Sequence, residues 1–333
     1  MSDYHPEFEE AATFICGHPK SGTSLLLTLL DSHPQLVVYP EESHFFRRFS
    51  KKAKGLEIEE KKQLAQELIL HIFTWNQDDP PLSQEGYPDR DYSNVDYEEI
   101  CSVFAQNLEH TGGKHHQVLS SALVAFGDAT NQLGRHTLRW VEKTPYNENF
   151  AGDIFSWWPQ AKCIHITRDP RDNFTSYRRK QPDWSPNSFA RSWAQSVHTG
   201  LRNQQRYGED RYLLLRYEDL LEQPEHSIGL IIKFLGIDDE PILRRPTRNG
   251  QPWGGNSMFA ERFDGISRNP IGRYKDRLSQ EDIATLEANL FPEMERFGYE
   301  LDHPVDASVR LRWLTGRLQW THQHIRSLLT KLP

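Results

Sequence analysis

The chain has 333 residues, a formal net charge of −8 and 37% hydrophobic residues, enough for a large core in one α/β domain with insertions or in two domains. The acidic total argues against a dedicated nucleic-acid binder, which carries a basic excess, and no apolar run reaches the ~18 residues that span a bilayer. Residues 1–10 are acidic and lack the cationic and apolar segments of a signal peptide, and Cys16, Cys101 and Cys163 give neither metal spacing nor a disulfide framework. A reducing cytoplasm is therefore the expected setting.

The first element is an apolar run at 12–16, suited to a buried strand. It leads into Gly17-His18-Pro19-Lys20-Ser21-Gly22-Thr23-Ser24 and then an apolar helix ended by Asp31-Ser32-His33-Pro34. Strand, glycine-bearing turn and helix in that order form an anion cradle, with loop N–H groups and the helix N-terminus facing the ligand. The Gly17-x4-Gly22 spacing is that of a Walker A loop, but Thr23 stands where that motif places lysine. The loop's single lysine, Lys20, must meet an anion from another side, which counts against an ordinary ATPase.

Residues 36–39 read as a second strand. Glu41-Glu42-Ser43-His44-Phe45-Phe46 follows at its carboxyl end, the edge where open α/β sheets bind ligands. A helix is expected over 48–76, a polar Pro- and Asp-rich loop or lid over 76–94, and two more helices near 96–110 and 116–132. The whole stretch 47–135 has the character of a mainly helical insertion that shapes an acceptor pocket.

The strand–helix alternation resumes at 138–143. A strand at 161–167 runs into Arg168-Asp169-Pro170, with Asp169 as N-cap and Pro170 at the first helical position. A helix at 186–206, a strand at 212–217 and helices near 225–235 and 279–297 complete the regular part. Such alternation implies a three-layer α/β fold, a central parallel sheet with a P-loop-type strand–loop–helix and helices on both faces. The tail, about 308–331, is basic with an apolar stripe; packing on its own domain is favoured over a membrane surface or a partner.

Arg168 and Ser176 are eight residues apart, one at a strand end and one about two turns into a helix rising ~1.5 Å per residue. That spacing lets them flank a phosphate-sized anion without packing against each other. With strand 161–167 expected beside strand 12–16, two anion sites share one sheet edge and suit a ligand with separated phosphates.

At this point the chain resembles the PAPS-dependent sulfotransferases, through Pro19-Lys20-Ser21-Gly22-Thr23-Ser24, Arg168-Asp169-Pro170 with Ser176, and Arg216-Tyr217-Glu218-Asp219. The resemblance implies that Lys20, Ser21, Gly22, Thr23 and Ser24 bind the 5′-phosphosulfate of PAPS, that Arg168 and Ser176 take its 3′-phosphate, and that Tyr217 lies near the adenine. Gly272-Arg273-Tyr274-Lys275 stands where many members have a late basic loop, which adds Arg273 and Lys275. Glu42-Ser43-His44-Phe45-Phe46 and Glu142-Lys143-Thr144-Pro145 are similar to the branch that sulfates carbohydrates. The tyrosylprotein sulfotransferases also carry a Glu-Glu pair here, so a carbohydrate, tyrosine or small-alcohol hydroxyl all stay open as acceptor.

Sulfuryl transfer needs in-line geometry, a base for the acceptor hydroxyl and stabilisation of the leaving phosphate. Lys20 is assigned to the leaving and bridging oxygens. Glu42 is the candidate base, with Phe45 and Phe46 expected as the dry wall that raises its pKa and Glu41 as the alternative. His44 either hydrogen-bonds the acceptor or fills a core niche, and Lys143 either reaches the acceptor or the sulfonate or is a strand-end surface lysine. No metal is expected; His110, His115 and His116 lack supporting ligands. The rival readings are a Mg²⁺-dependent P-loop kinase or NTPase, which needs the missing lysine, and a non-catalytic nucleotide- or glycan-binding module of the same fold.

Overall fold

The computed structural model describes residues 7–307, 309–311 and 313–314, so the basic helix expected over about 308–331 lies almost wholly outside the described residues. Five strands, β1 (Ala12–Cys16), β2 (Leu36–Val38), β3 (Arg139–Lys143), β4 (Lys162–Thr167) and β5 (Tyr212–Arg216), form a sheet in the order β2-β3-β1-β4-β5. Every pairing in it is parallel. All five strands therefore end at one edge, and their following loops meet there.

The sequence dictates this arrangement through burial on both faces. All five residues of β1 are buried, the pattern of a strand covered on both sides. Phe14 packs against Trp140 and Trp158 on one face, while Ile15 joins Val141, Ile164 and the leucines of α1 (Thr23–Leu30) on the other. The expected contact of the 12–16 and 161–167 strands is present, with Ile15 opposite Ile164.

Between β2 and β3 the chain is helical, but not as one long helix over 48–76. A wide turn at Phe45–Phe49 runs into a single turn at Ser50–Lys52 and stops at Gly55, whose φ is +83°. The chain restarts at α2 (Ile58–Leu68), where Glu57 and Glu60 form a reciprocal capping box. A tight turn at Leu70–Thr74 follows. Then α3 (Tyr97–His110), N-capped by Asp96, packs on α4 (Gln117–Ala129).

After β3 come α5 (Ala151–Trp157), α6 (Pro170–Lys180) and α7 (Pro186–Tyr207), and after β5 come α8 (Tyr217–Glu222) and α9 (Pro224–Leu235). Asp169 caps α6 by accepting the Arg171 N–H at 2.9 Å, with Pro170 at the first position as expected. A two-rung hairpin (Thr247–Arg248 with Gln251–Pro252) leads into an irregular segment that ends before α10 (Gln280–Arg296). Among the described residues no helix is long and apolar enough to cross a membrane.

Candidate active site

The loop after β1 is shaped by two glycines that no other residue can replace without movement. At Gly17, with φ +134°, an added Cβ would lie 2.3 Å from the Ile166 carbonyl oxygen. At Gly22, with φ +101°, it would lie 2.2 Å from Cδ2 of Tyr217. Gly22 is also the N-cap of α1 and offers no side-chain cap, which leaves the first-turn N–H groups open to an anion. Ser21 differs from expectation: it is buried, and its hydroxyl donates to the carbonyls of His18 at 2.6 Å and Ile166 at 3.1 Å. It pins the loop to β4 rather than facing a ligand.

Apart from Lys275, the remaining residues expected to bind donor or acceptor share one cleft of about 550 Å³. Lys20, Gly22, Thr23 and Ser24 form its floor, from the loop after the central strand β1. Glu42, His44 and Lys143 line one side, from the ends of β2 and β3. Arg168, Ser176, Tyr217 and Arg273 line the other, beyond β4 and β5.

Arg168 is the hub of its side. One guanidinium nitrogen donates to the Lys20 carbonyl at 3.2 Å and approaches the Ser176 hydroxyl at 3.4 Å; the other donates to the Pro270 carbonyl at 2.9 Å. Arg168 and Ser176 therefore touch, contrary to the expectation that they stand apart: the long arginine side chain reaches the serine on α6. The guanidinium also lies 4.7 Å from the centroid of the Tyr217 ring, and its buried Nε has no partner. Arg273 reaches the cleft but is held by Glu261 at 2.6 Å, whereas Lys275 is exposed and does not line it.

On the other side Lys143 Nζ donates to Glu42 Oε1 at 2.8 Å, and His44 Nε2 stands 3.6 Å from Glu42 Oε2. Burial pushes the Glu42 carboxyl up, but the Lys143 charge and hydrogen bond, with smaller contributions from His44 and Lys180, outweigh it. The net pKa is below the usual carboxylate range, not above it as the dry-wall argument implies. Phe45 and Phe46 are not that wall: they turn away from Glu42 and pack on Trp157 and Trp158. Glu41 is paired with Arg90 at 2.6 Å and Arg248 at 3.4 Å and accepts the Tyr92 hydroxyl at 3.0 Å, so it is tied into the wall.

Burial also lowers the Lys20 pKa, helped by Lys180 and Lys143, to about 8. The ammonium is crowded by like charge and has most to gain from a bound anion. Lys180, Arg47, Arg48, Arg90 and Arg248 line the cleft as well and were not singled out from the sequence. Glu142 was missed too. Fully buried on β3, it accepts from the Ser43 N–H and hydroxyl, the Thr144 hydroxyl and the Asn147 amide, and so fixes the Glu42 loop against the end of β3. Among the described residues no group of three His, Cys, Asp or Glu is placed to hold a metal.

Residues 12–241 match the family model described as "Sulfotransferase family". The chain is 23% identical over 312 residues to Protein-tyrosine sulfotransferase 2 of Gallus gallus, covering 90% of this chain and 72% of that protein. It is 22% identical over 310 residues to Protein-tyrosine sulfotransferase A of Caenorhabditis elegans, covering 86% and 67%. In fold it is similar to the sulfotransferase domain from the curacin biosynthetic pathway (TM-score 0.55, 18% identity, 87% and 98% of the two chains). The same holds for the sulfotransferase domain from the Synechococcus PCC 7002 olefin synthase (TM-score 0.54, 20% identity, 90% and 96%). The chain belongs to the sulfotransferase family and, within it, is a PAPS-dependent enzyme that moves a sulfuryl group to a hydroxyl acceptor.

Proposed function

We propose that this enzyme sulfates a tyrosyl hydroxyl, with PAPS gripped on the β4–β5 side of the cleft and the acceptor entering on the β2–β3 side. The observation that carries this reading is the division of one cleft by its central lysine: the Glu42–Lys143 pair on one side, Arg168, Ser176 and Tyr217 on the other. The tyrosyl acceptor is supported by the protein-tyrosine sulfotransferases among its relatives.

The residues present suit the donor. The uncapped N-terminus of α1 at Gly22 and an unpartnered buried Arg168 Nε both favour a bound anion. In this reading Lys20, Gly22, Thr23 and Ser24 hold the 5′-phosphosulfate, Arg168, Ser176 and Arg273 hold the 3′-phosphate, and Tyr217 takes the adenine. Bound PAPS supplies the sulfuryl group and a phosphate leaving group. Lys20 sets a positive charge where the leaving oxygen gains negative charge. Glu42, kept ionised by Lys143, accepts the proton of the acceptor hydroxyl at Oε2, the oxygen opposite the lysine contact. His44 orients that oxygen from 3.6 Å. The chain is read as one α/β domain whose insertion, 47–135, supplies Arg47, Arg48 and Arg90 to the acceptor wall. Its three free cysteines accord with a cytoplasmic setting.

Incubation with sulfur-labelled PAPS and a tyrosyl peptide tests the assignment. Label is expected on the tyrosine, not on the phenylalanine analogue, and not with Glu42→Gln. Transfer to sugars or small alcohols but never to tyrosine would overturn the acceptor class. Stabilisation by Mg²⁺-ATP alone would point to the kinase reading.

A further inference from the structure

Two carboxylates lie buried outside the cleft, and the reaction described above uses neither. Glu148, 1% exposed, sits in the turn after β3 and accepts the Gly17 N–H at 3.0 Å, with the Ser196 hydroxyl on its other oxygen. Glu218, 4% exposed, sits in α8 just after β5 and accepts the Asp169 N–H at 2.9 Å, with the Tyr299 hydroxyl on its other oxygen at 2.9 Å. Gly17 and Asp169 are where β1 and β4 give way to their loops, so each loop is held by an acid from the neighbouring strand's loop. Among the described residues neither acid is in an ion pair with lysine or arginine.

We propose that Glu148 and Glu218 are positioning residues for the cofactor, each fixing one of the two anion-binding loops through a single backbone N–H. The proposal rests on the cleft being the cofactor site. A structural carboxylate is normally ionised and paired; these two are buried with no lysine or arginine of the described residues within ion-pair distance, which favours their neutral form. Burial outweighs their hydrogen bonds and pushes each up to about 7. The groups facing Glu148 are Arg47, Cys16, Tyr146 and Tyr212. Those facing Glu218 are Asp169, Arg168, Arg216, Tyr217 and Tyr299. Ionisation of either acid places negative charge behind a loop that must grip an anion. Nucleotide affinity should therefore fall as pH rises through about 7. Lys20, losing its proton near 8, acts in the same direction, so the informative quantity is the difference between wild type and variants that cannot ionise.

The test is calorimetric titration of the full chain with adenosine 3′,5′-bisphosphate and with adenosine 5′-monophosphate, from below to above neutral pH. Glu148→Gln and Glu218→Gln keep an acceptor oxygen and are expected to bind the bisphosphate as wild type does in acid, with a flatter decline above neutrality. Glu148→Leu should weaken both nucleotides about tenfold, and Glu218→Leu the bisphosphate alone by about tenfold, since a buried N–H loses its acceptor. Gln variants whose pH curves run parallel to wild type would overturn the proposal, and they decide it even if the Leu variants do not fold. A wild-type chain that binds neither nucleotide would overturn the reading of the cleft itself.

Discussion

Arg168 donates to the carbonyl oxygen of Lys20 across 3.2 Å, so the loop after β4 and the loop after β1 are one mechanical unit. The residues expected at opposite ends of the donor cannot shift independently. Substitutions at this junction should be felt at both anion sites.

Gly22 meets Tyr217 at the same junction. A Gly22→Ala change adds a Cβ 2.2 Å from that ring in a backbone conformation, φ +101°, that alanine resists. The expected loss is about 1–3 kcal/mol of stability, with the nucleotide site displaced. Urea denaturation and nucleotide titration would read the two effects separately; a variant with wild-type values in both would show the approach to be looser than it is here.

Glu42→Gln should lower kcat by roughly 10²–10⁴-fold, the usual contribution of a positioned base. Nucleotide affinity should change little, because Glu42 lies across Lys20 from Arg168 and Tyr217. Lys143→Ala frees Glu42 from the bond at 2.8 Å, so its carboxyl pKa should rise, and the acid limb of kcat/KM should move to higher pH. An unmoved limb would remove Glu42 as the titrating base.

Lys20 gives the alkaline limb. Its pKa is lowered from 10.5 to about 8 by burial and by Lys180 and Lys143, so the free enzyme loses the ammonium as pH rises through that value. Log kcat/KM is expected to fall above about 8. Lys180→Gln removes a like charge and should shift the fall upward, which a pH–rate profile with saturating acceptor would detect.

Arg90 bonds a Glu41 carboxylate that is buried to 9% exposure. Arg90→Ala leaves that charge with Arg248 at 3.4 Å and should cost about 3 kcal/mol. Glu41→Gln with Arg90→Ala should recover part of the loss, a coupling measurable in a double-mutant cycle.

The strand–loop–helix at 12–30 and the Arg168 to Ser176 segment were legible because each carries its signals locally: an apolar run, glycines at fixed offsets, an Asp-Pro start. The supports of these segments were not. Glu142 grips Ser43 from 99 residues away and Glu148 grips Gly17 from 131 residues away, distances at which one sequence offers no pairing rule. The break in the helix expected over 48–76 did have a local sign, Gly55 followed by Glu57 and Glu60, but the helical spacing of Leu64, Leu68, Ile69 and Ile72 was extended back across it. Phe45 and Phe46 were read by adjacency to Glu42; the wide turn at Phe45–Phe49 rotates both into the core instead.

The strand order β2-β3-β1-β4-β5 has an evolutionary corollary. On the proposed division of the cleft, with the lysine-bearing strand as the dividing line, the half assigned to the activated nucleotide and the half assigned to its client hang from different strands. Clientele can then drift by remodelling the stretch between β2 and β3 while the nucleotide grip is inherited intact.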